Sequence, residues 1–304
     1  MLDAVIIGAG PAGMAGAVYM ARQKLKFVIL TDTVGGQTAL SDDVENYLGF
    51  HLLNGVELVA KFQEHLKDYK EQFEIKEQEL AQKVEKIDGG FRVTTPKASY
   101  DAKSLLIATG TIHRKLKVPG EDALYGHGVT YCANCDAPLF KGKKVFVIGG
   151  GNSAMDAALF LEKYTTGIVL VSNNKELMGD STMKTKILAS KNISVLTETK
   201  TTKIVGDKLV MGICLVGPDG VERVEPTQGV FIEIGLVPVS QFIDLVEKDK
   251  MGQIVVDKSN HTSVPGIFAA GDVTDVTEKQ ISVAVGEGSK ASLELISYVQ
   301  KMTI

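Results

Sequence analysis

The 304-residue sequence lacks any massed stripe of Lys or Arg, and its formal net charge is only −4. A nucleic-acid footprint needs such a stripe to neutralise phosphates, so nothing points to a nucleic-acid partner. The same scatter leaves a polybasic membrane anchor unsupported. No segment stays uncharged over a membrane-spanning length. A strand-like run begins within three residues of Met1, leaving no room for a charged leader and an apolar signal core. The expectation is a soluble, cytoplasmic protein. Low-complexity segments are absent, and cysteine is scarce. Three cysteines, two of them in a Cys-x-x-Cys, fit a reducing compartment and a redox motif better than a secreted disulfide framework. A structural zinc site would need a second pair of ligands. Cys214 stands alone and no His pair has ligand spacing, so no metal is expected.

What is present is one plan written twice. With 44% hydrophobic residues the chain can bury two ordinary cores. Ala4-Val5-Ile6-Ile7 reads as a strand, Gly8-Ala9-Gly10-Pro11-Ala12-Gly13 as a tight turn entering a helix, and Phe27-Val28-Ile29-Leu30 as the next strand. Val145 to Ile148, then Gly149-Gly150-Gly151-Asn152-Ser153-Ala154 with a helix to about Leu161, then Ile168 to Val171 repeat that order with similar spacing. Gln72 to Val93 and Ile193 to Glu225 read as two small β insertions, with Gly89-Gly90, Gly206-Asp207 and Pro218-Asp219-Gly220 at turns. Gly266 to Asp272 reads as a strand ending in a turn, followed by a helix from near Glu278. The predicted fold is α/β, with two Rossmann-like three-layer nucleotide-binding domains, the second inserted in the first. The first comprises residues 1–113 and 241–304, and the second 114–240.

Each glycine of the first motif has its own physical role. Gly8 permits the tight turn, Gly10 lets the backbone approach a pyrophosphate, and Gly13 lets the helix pack closely on the strand. The helix start then presents free N–H groups to phosphates. An acidic residue is usual at the end of the second strand, where it bonds a ribose. Thr31 stands there, with Asp32 next, and either serves that contact.

Between the two glycine motifs lies Tyr131-Cys132-Ala133-Asn134-Cys135-Asp136. A Cys-x-x-Cys can lower one thiol's pKa while the second cysteine resolves a mixed disulfide. Cys214, in the apolar run Leu209 to Val216, reads as core. The histidines, including His113 and His127, form no recognisable constellation.

In this order, the motif Gly8–Gly13, Gly35-Gly36-Gln37-Thr38, Val44-Glu45-Asn46-Tyr47, Ala108-Thr109-Gly110, Cys132–Asp136, Gly149–Ala154 and Gly271-Asp272 resemble the low-molecular-weight thioredoxin reductases over essentially the whole chain. The resemblance implies FAD in the first domain, with Gln37 and Asn46 lining the flavin side, Asp272 bonding the ribitol, and Lys279, Gln280 and Ile281 at a helix start near the flavin. It also implies that Cys132 attacks the partner disulfide, that Cys135 faces the flavin, and that Asp136 protonates the leaving thiolate. The expected partner is a thioredoxin or glutaredoxin-like protein, and the expected assembly a homodimer.

The sequence departs from that family after Val171. Where a basic cluster normally grips the extra phosphate of NADPH, it reads Ser172-Asn173-Asn174-Lys175, and no arginine follows through Ser181. Lys175 supplies a point charge but no bidentate fork. The expected donor is therefore something other than classical NADPH, reduced ferredoxin among the candidates; NADPH held by Lys175, and NADH held through Ser172 or Asn173, are the alternatives. The tail Lys279 to Gly288 also resembles the flavoprotein of alkyl hydroperoxide reductase, which carries an extra N-terminal redox domain, whereas this sequence opens directly on its first glycine motif. A ferredoxin–NADP reductase has no use for Cys132 and Cys135. The non-enzymatic alternative is a flavin-binding redox sensor.

Overall fold

The computed structural model describes residues 1–41 and 44–302; the side chains of Asn134 and Cys135 lie outside the description. The chain forms two compact units, Met1–Ile112 with Val237–Ile304, and His113–Leu236.

The first unit is built on a seven-stranded sheet. At its centre Leu2–Ile7 pairs in parallel with Phe27–Leu30 on one side and with Ser99–Ile107 on the other. Ser99–Ile107 changes partners along its length. Its first residues pair antiparallel with Gly90–Thr94, while Leu105 to Ile107 pair in parallel with Ile267–Ala269. The sheet core is apolar on both faces, so the strands read as near-continuous aliphatic runs. On one face Pro11–Arg22, Gly55–Lys67 and Ile281–Lys301 enclose Met14, Met20, Leu106, Phe268 and Leu295. On the other, Ile243, Val246 and Ile254 pack over Leu105, Ile107 and Ile267. Each such side chain contributes about 1.5–3 kcal/mol through burial.

Phe73–Lys76 corrects the expected boundary of the first β insertion. It is an edge strand of the parallel sheet, in register with Phe27–Leu30. Phe73 stacks on Phe27 at 4.9 Å between ring centres. The alternation Phe73, Ile75 against Glu74, Lys76 is that of an edge strand with one polar face, and its charge disguised its membership. Only Lys83–Ile87 and Gly90–Thr94 form the antiparallel meander with Ser99–Ile107.

The second unit has a five-stranded, wholly parallel sheet ordered Ile193–Leu196, Gly167–Val171, Lys144–Ile148, Gly229–Ile232, Val129–Thr130. Helices Asn152–Leu161 and Ser181–Ala189 cover one face through Met155, Leu161 and Ile187. A three-stranded antiparallel sheet, Lys200–Gly206, Val210–Val216 and Glu222–Pro226, covers the other. Ile193–Leu196 again belongs to the parallel sheet, which shortens the second expected insertion from its front. Cys214 is buried in the antiparallel layer. Among the described residues no helix is long and apolar enough to cross a membrane.

Candidate functional site

In the first unit the two early glycine segments meet. Gly8 has a φ of 108°, and a Cβ there would overlap the carbonyl oxygen of Ala108. A Cβ on Gly13 would overlap the carbonyl oxygen of Gly8, which is how the helix sits against its own strand. Gly10 differs: nothing lies within 4 Å of the Cβ it lacks. It caps the helix Pro11–Arg22 in extended geometry with no side-chain cap and no acidic residue in the first turn, so the N–H groups at that end are left for another acceptor. Gly36 lies beside Gly10, its absent Cβ 3.6 Å from the Gly10 Cα, and the Gly35 N–H donates to the carbonyl of Ala9.

Thr31 and Asp32 part company. The Thr31 hydroxyl donates to the Thr33 carbonyl at 2.8 Å and accepts from the Ala9 N–H at 3.3 Å, so it is used inside the turn. Asp32 is exposed. Further round the same unit, the Gln37 amide donates to Thr111, at 2.7 Å to both its carbonyl and its hydroxyl. Thr38 is buried, and Thr109 donates its hydroxyl to the Val239 carbonyl at 2.5 Å. Gly110 takes a φ of 63° with open space at its absent Cβ. The Asn46 amide donates to the Gln280 side chain at 3.0 Å.

Gly271 and Asp272 complete this constellation. Gly271 sits against Ala12 and Ala284, between the starts of the first and last helices, and its N–H donates to Glu287. Burial raises the Asp272 carboxyl above the usual range; Lys279 opposes the shift and Glu287 reinforces it. Lys279 does not bond that carboxylate. It donates to the carbonyls of Asp272 and Thr274 instead, and burial lowers its own pKa. Among the described residues no hydrogen bond to the Asp272 carboxylate is formed. The helix Ile281–Lys301, entered through Gln280, likewise starts with no side-chain cap.

In the second unit the glycine loop Gly149–Gly151 follows the strand Lys144–Ile148. Open space faces the absent Cβ of Gly151, which enters the helix Asn152–Leu161 in extended geometry without a side-chain cap. Ala154 is buried against Gly149, and Ser153 is exposed. Asn152 is already used: its side-chain oxygen accepts the Asp180 N–H at 2.8 Å. Ser172 is used as well. It is buried, its hydroxyl accepts the Asn174 N–H at 3.1 Å, and it occupies the place a Cβ on Gly150 would take. Asn173, Asn174 and Lys175 remain exposed.

Cys132 opens the short helix Ala133–Asp136 directly after the edge strand Val129–Thr130. It is disulfide-bonded, and its N–H donates to the Thr130 hydroxyl at 3.1 Å. The Cys135 side chain lies outside the described residues, and Asp136 is half-buried.

Sequence reasoning gave no role to Glu121, Tyr125 or Glu233. The Tyr131 hydroxyl donates to Glu121 at 2.7 Å, and the same carboxylate accepts the N–H groups of Leu116 at 2.8 Å and Lys117 at 2.6 Å. Burial, then Glu121, hold the Tyr131 phenol well above its ordinary pKa. His113 and Tyr125 pack on the Tyr131 ring, each at 5.5 Å. Glu121→Ala is expected to strand three donors and cost about 2–4 kcal/mol, read as a lowered thermal midpoint; an unchanged midpoint would remove Glu121 from this account.

Glu233, the third, lies one residue beyond the strand Gly229–Ile232. Its carboxyl is raised from 4.5 to about 7 by burial, with the Ala133 N–H opposing the shift and Asp156 adding to it. A raised carboxyl pKa binds a proton more tightly in the folded state. Its contribution to stability is therefore present below pH 4.5 and lost as pH rises through about 7. The signal for Glu233 was available in principle: an acid set in the apolar run Gly229 to Ile234 is rarely buried without a purpose. Glu121 had no comparable signal, because its donors come from backbone that only the fold brings near.

Comparison with known proteins bears out the resemblance read from the motifs. Residues 2–288 match the Pyridine nucleotide-disulphide oxidoreductase family. The thioredoxin reductase of Lactococcus lactis superposes with a TM-score of 0.81 at 33% identity, covering 99% of this chain and 100% of that one. The T. acidophilum thioredoxin reductase gives 0.78 at 40% identity, covering 99% of each. An alkyl hydroperoxide reductase polypeptide of Staphylococcus epidermidis is 37% identical over 98% of this chain and 59% of its own length. A Bacillus subtilis protein named NADH dehydrogenase is 36% identical over 98% and 58% respectively. The chain thus spans about three-fifths of the length of these curated relatives.

Proposed function

The chain belongs to the pyridine nucleotide-disulphide oxidoreductase family, and from that premise we propose that it is an FAD-dependent protein-disulfide reductase of the thioredoxin reductase kind. The observation that carries the proposal is the disulfide-bonded Cys132 of a Cys-x-x-Cys, held at the end of a parallel sheet in a chain whose other unit carries a dinucleotide-type glycine turn.

The first unit fits FAD. Gly10 leaves a backbone face open for a pyrophosphate, and the uncapped start of Pro11–Arg22 supplies N–H donors without a competing carboxylate. Asp32 takes the adenosine ribose, since the Thr31 hydroxyl is committed within the turn. The Asp272 carboxylate, lacking a described donor, receives a ribitol hydroxyl. Gln37, Asn46, Gly110 and Gln280 line the remainder. When bound, FAD supplies two-electron transfer to the disulfide.

The chain's own residues do the rest. Cys132 as thiolate attacks the partner's disulfide, and Cys135 resolves the mixed disulfide, so two bonds exchange and a dithiol leaves. Asp136, next in the chain, gives a proton to the leaving sulfur. The partner class is a thioredoxin or glutaredoxin-like protein, met as a homodimer in a reducing compartment.

The donor is other than classical NADPH. Asn173 and Asn174 offer no guanidinium, and Ser172 is turned inward, which leaves Lys175 as the one cation of that loop. Reduced ferredoxin suffices thermodynamically, since a plant-type cluster lies roughly 130 mV below thioredoxin. NADH is the second reading, favoured by the similarity to a relative named NADH dehydrogenase. Anaerobic titration with NADPH, NADH and reduced ferredoxin, following flavin absorbance, tests both halves. Bleaching by ferredoxin or NADH with a weak response to NADPH is expected; a colourless protein that takes up no flavin would sink the reading. Arginine at Asn173 and Asn174 is expected to improve NADPH selectively, by about 1.5–3 kcal/mol in kcat/KM, and rapid NADPH turnover by the unaltered protein would assign the phosphate to Lys175.

A further inference from the structure

Glu233 has no part in the reading above, yet the sheet delivers it to the cysteines. Gly229–Ile232 runs in parallel between two strands: Phe231 is level with Thr130 on one side, and Ile232 with Ile148 on the other. Two residues past Thr130 is Cys132; one past Ile148 is Gly149. The register therefore sets Glu233 in the gap between the redox cysteine and the glycine loop. Local contacts agree. The Glu233 N–H donates to the Ile148 carbonyl at 2.8 Å, the absent Cβ of Gly149 would overlap the Glu233 carbonyl oxygen, and the N–H of Ala133, the residue after Cys132, is directed at the Glu233 carboxylate. An acid at this place meets no Lys or Arg among the groups that act on it. The charged group that does is Asp156, from the helix Asn152–Leu161, and it is also acidic.

We infer that Glu233 is a positioning and proton-holding residue for the Cys132 disulfide, retaining a proton at the site when the disulfide is reduced. The inference rests on the proposed redox role of the cysteine pair. Reduction breaks the S–S bond and, with two electrons and one proton, leaves a thiolate and a thiol. A carboxylate next to a new thiolate is a like charge, and each raises the pKa of the other. One proton is therefore shared between Glu233 and the thiolate, and the two titrate as a coupled pair. The raised carboxyl pKa in the oxidised state suits a group poised to take it.

Dithiothreitol as reductant separates this from the wider reading. Its dithiol form supplies two electrons and two protons, so a site that keeps both protons releases none, and a site left as thiolate and thiol releases one. At pH 8, in weakly buffered solution with an indicator dye, the unaltered holoenzyme is expected to release little acid per disulfide reduced. Glu233→Gln is expected to release up to about one proton, and its reduced cysteines to alkylate about fivefold faster at pH 7.5, because the apparent thiol pKa falls. Asp136→Asn is the control for the other acid near the pair and is expected to release as little as the unaltered protein. Equal release and unchanged alkylation profiles in Glu233→Gln would overturn the inference, as would release that rises only in Asp136→Asn. Failure of dithiothreitol to expose any new thiol would instead refute the redox role of the cysteines, a result distinct from either.

Discussion

Cys132→Ser is expected to abolish protein-disulfide turnover, by roughly a thousandfold or more, while leaving flavin content and thermal midpoint close to those of the parent. A serine hydroxyl provides no nucleophile comparable to a thiolate at neutral pH. The fold gives little reason for collateral damage. Cys132 is only partly buried, and one hydrogen bond at its position runs from its backbone N–H to the Thr130 hydroxyl, which the substitution leaves untouched. Cys135→Ser forms the second arm. With the resolving thiol gone, Cys132 is expected to stay linked to the redoxin as a mixed disulfide, visible as a heavier band that reductant removes. Trapping by Cys132→Ser instead would reverse the two roles, and full turnover in both variants would remove the pair from the mechanism.

Much of this architecture was legible because the residues that carry it are local. A strand, a glycine turn and a helix start lie within ten residues of each other, so Leu2 to Gly13 and Lys144 to Ala154 announce themselves through periodicity and glycine spacing. The predicted α/β fold with Rossmann-like parallel sheets is what the structure contains. The edge strands were less legible. Phe73–Lys76 alternates apolar with polar residues and Ile193–Leu196 alternates more buried with exposed ones, as an edge strand does, and only the parallel register with Phe27–Leu30 and Gly167–Val171 shows which sheet owns them.

Single contacts divide along the same line. Sequence left the ribose contact open between Thr31 and Asp32, because both are polar and adjacent. The hydroxyl's bonds to Thr33 and Ala9, one of them 22 residues away, set Thr31 apart from the exposed Asp32. Glu121 was out of reach for a related reason. Its importance comes from backbone donors at Leu116 and Lys117, and a donor that every residue possesses leaves no mark in sequence.

Gly13→Ala is expected to lose stability and flavin together, whereas Gly10→Ala is expected to fold normally and bind flavin poorly. The two glycines stand three residues apart in one motif and face different things. A Cβ on Gly13 would overlap the carbonyl oxygen of Gly8 and approach the Ile6 side chain at 3.3 Å. The obstacle is backbone, so no rotamer relieves it. The helix Pro11–Arg22 would have to lift from a sheet on which Met14 and Met20 are fully buried, at a cost of about 1–3 kcal/mol or more. Lifting it also moves the N–H groups proposed to seat the phosphate, so flavin and stability are expected to fall together. A Cβ on Gly10 meets nothing within 4 Å and disturbs no contact of the unit. It would instead stand in the space through which a pyrophosphate approaches, and a steric penalty of about 1–3 kcal/mol there weakens binding by roughly ten- to a hundredfold. Visible absorbance per chain and the thermal midpoint of the flavin-free protein, measured on both variants, decide the matter. Loss of colour with an unchanged apo midpoint in Gly10→Ala, against a lowered midpoint in Gly13→Ala, places the dinucleotide on this turn; full flavin occupancy in Gly10→Ala would move it elsewhere.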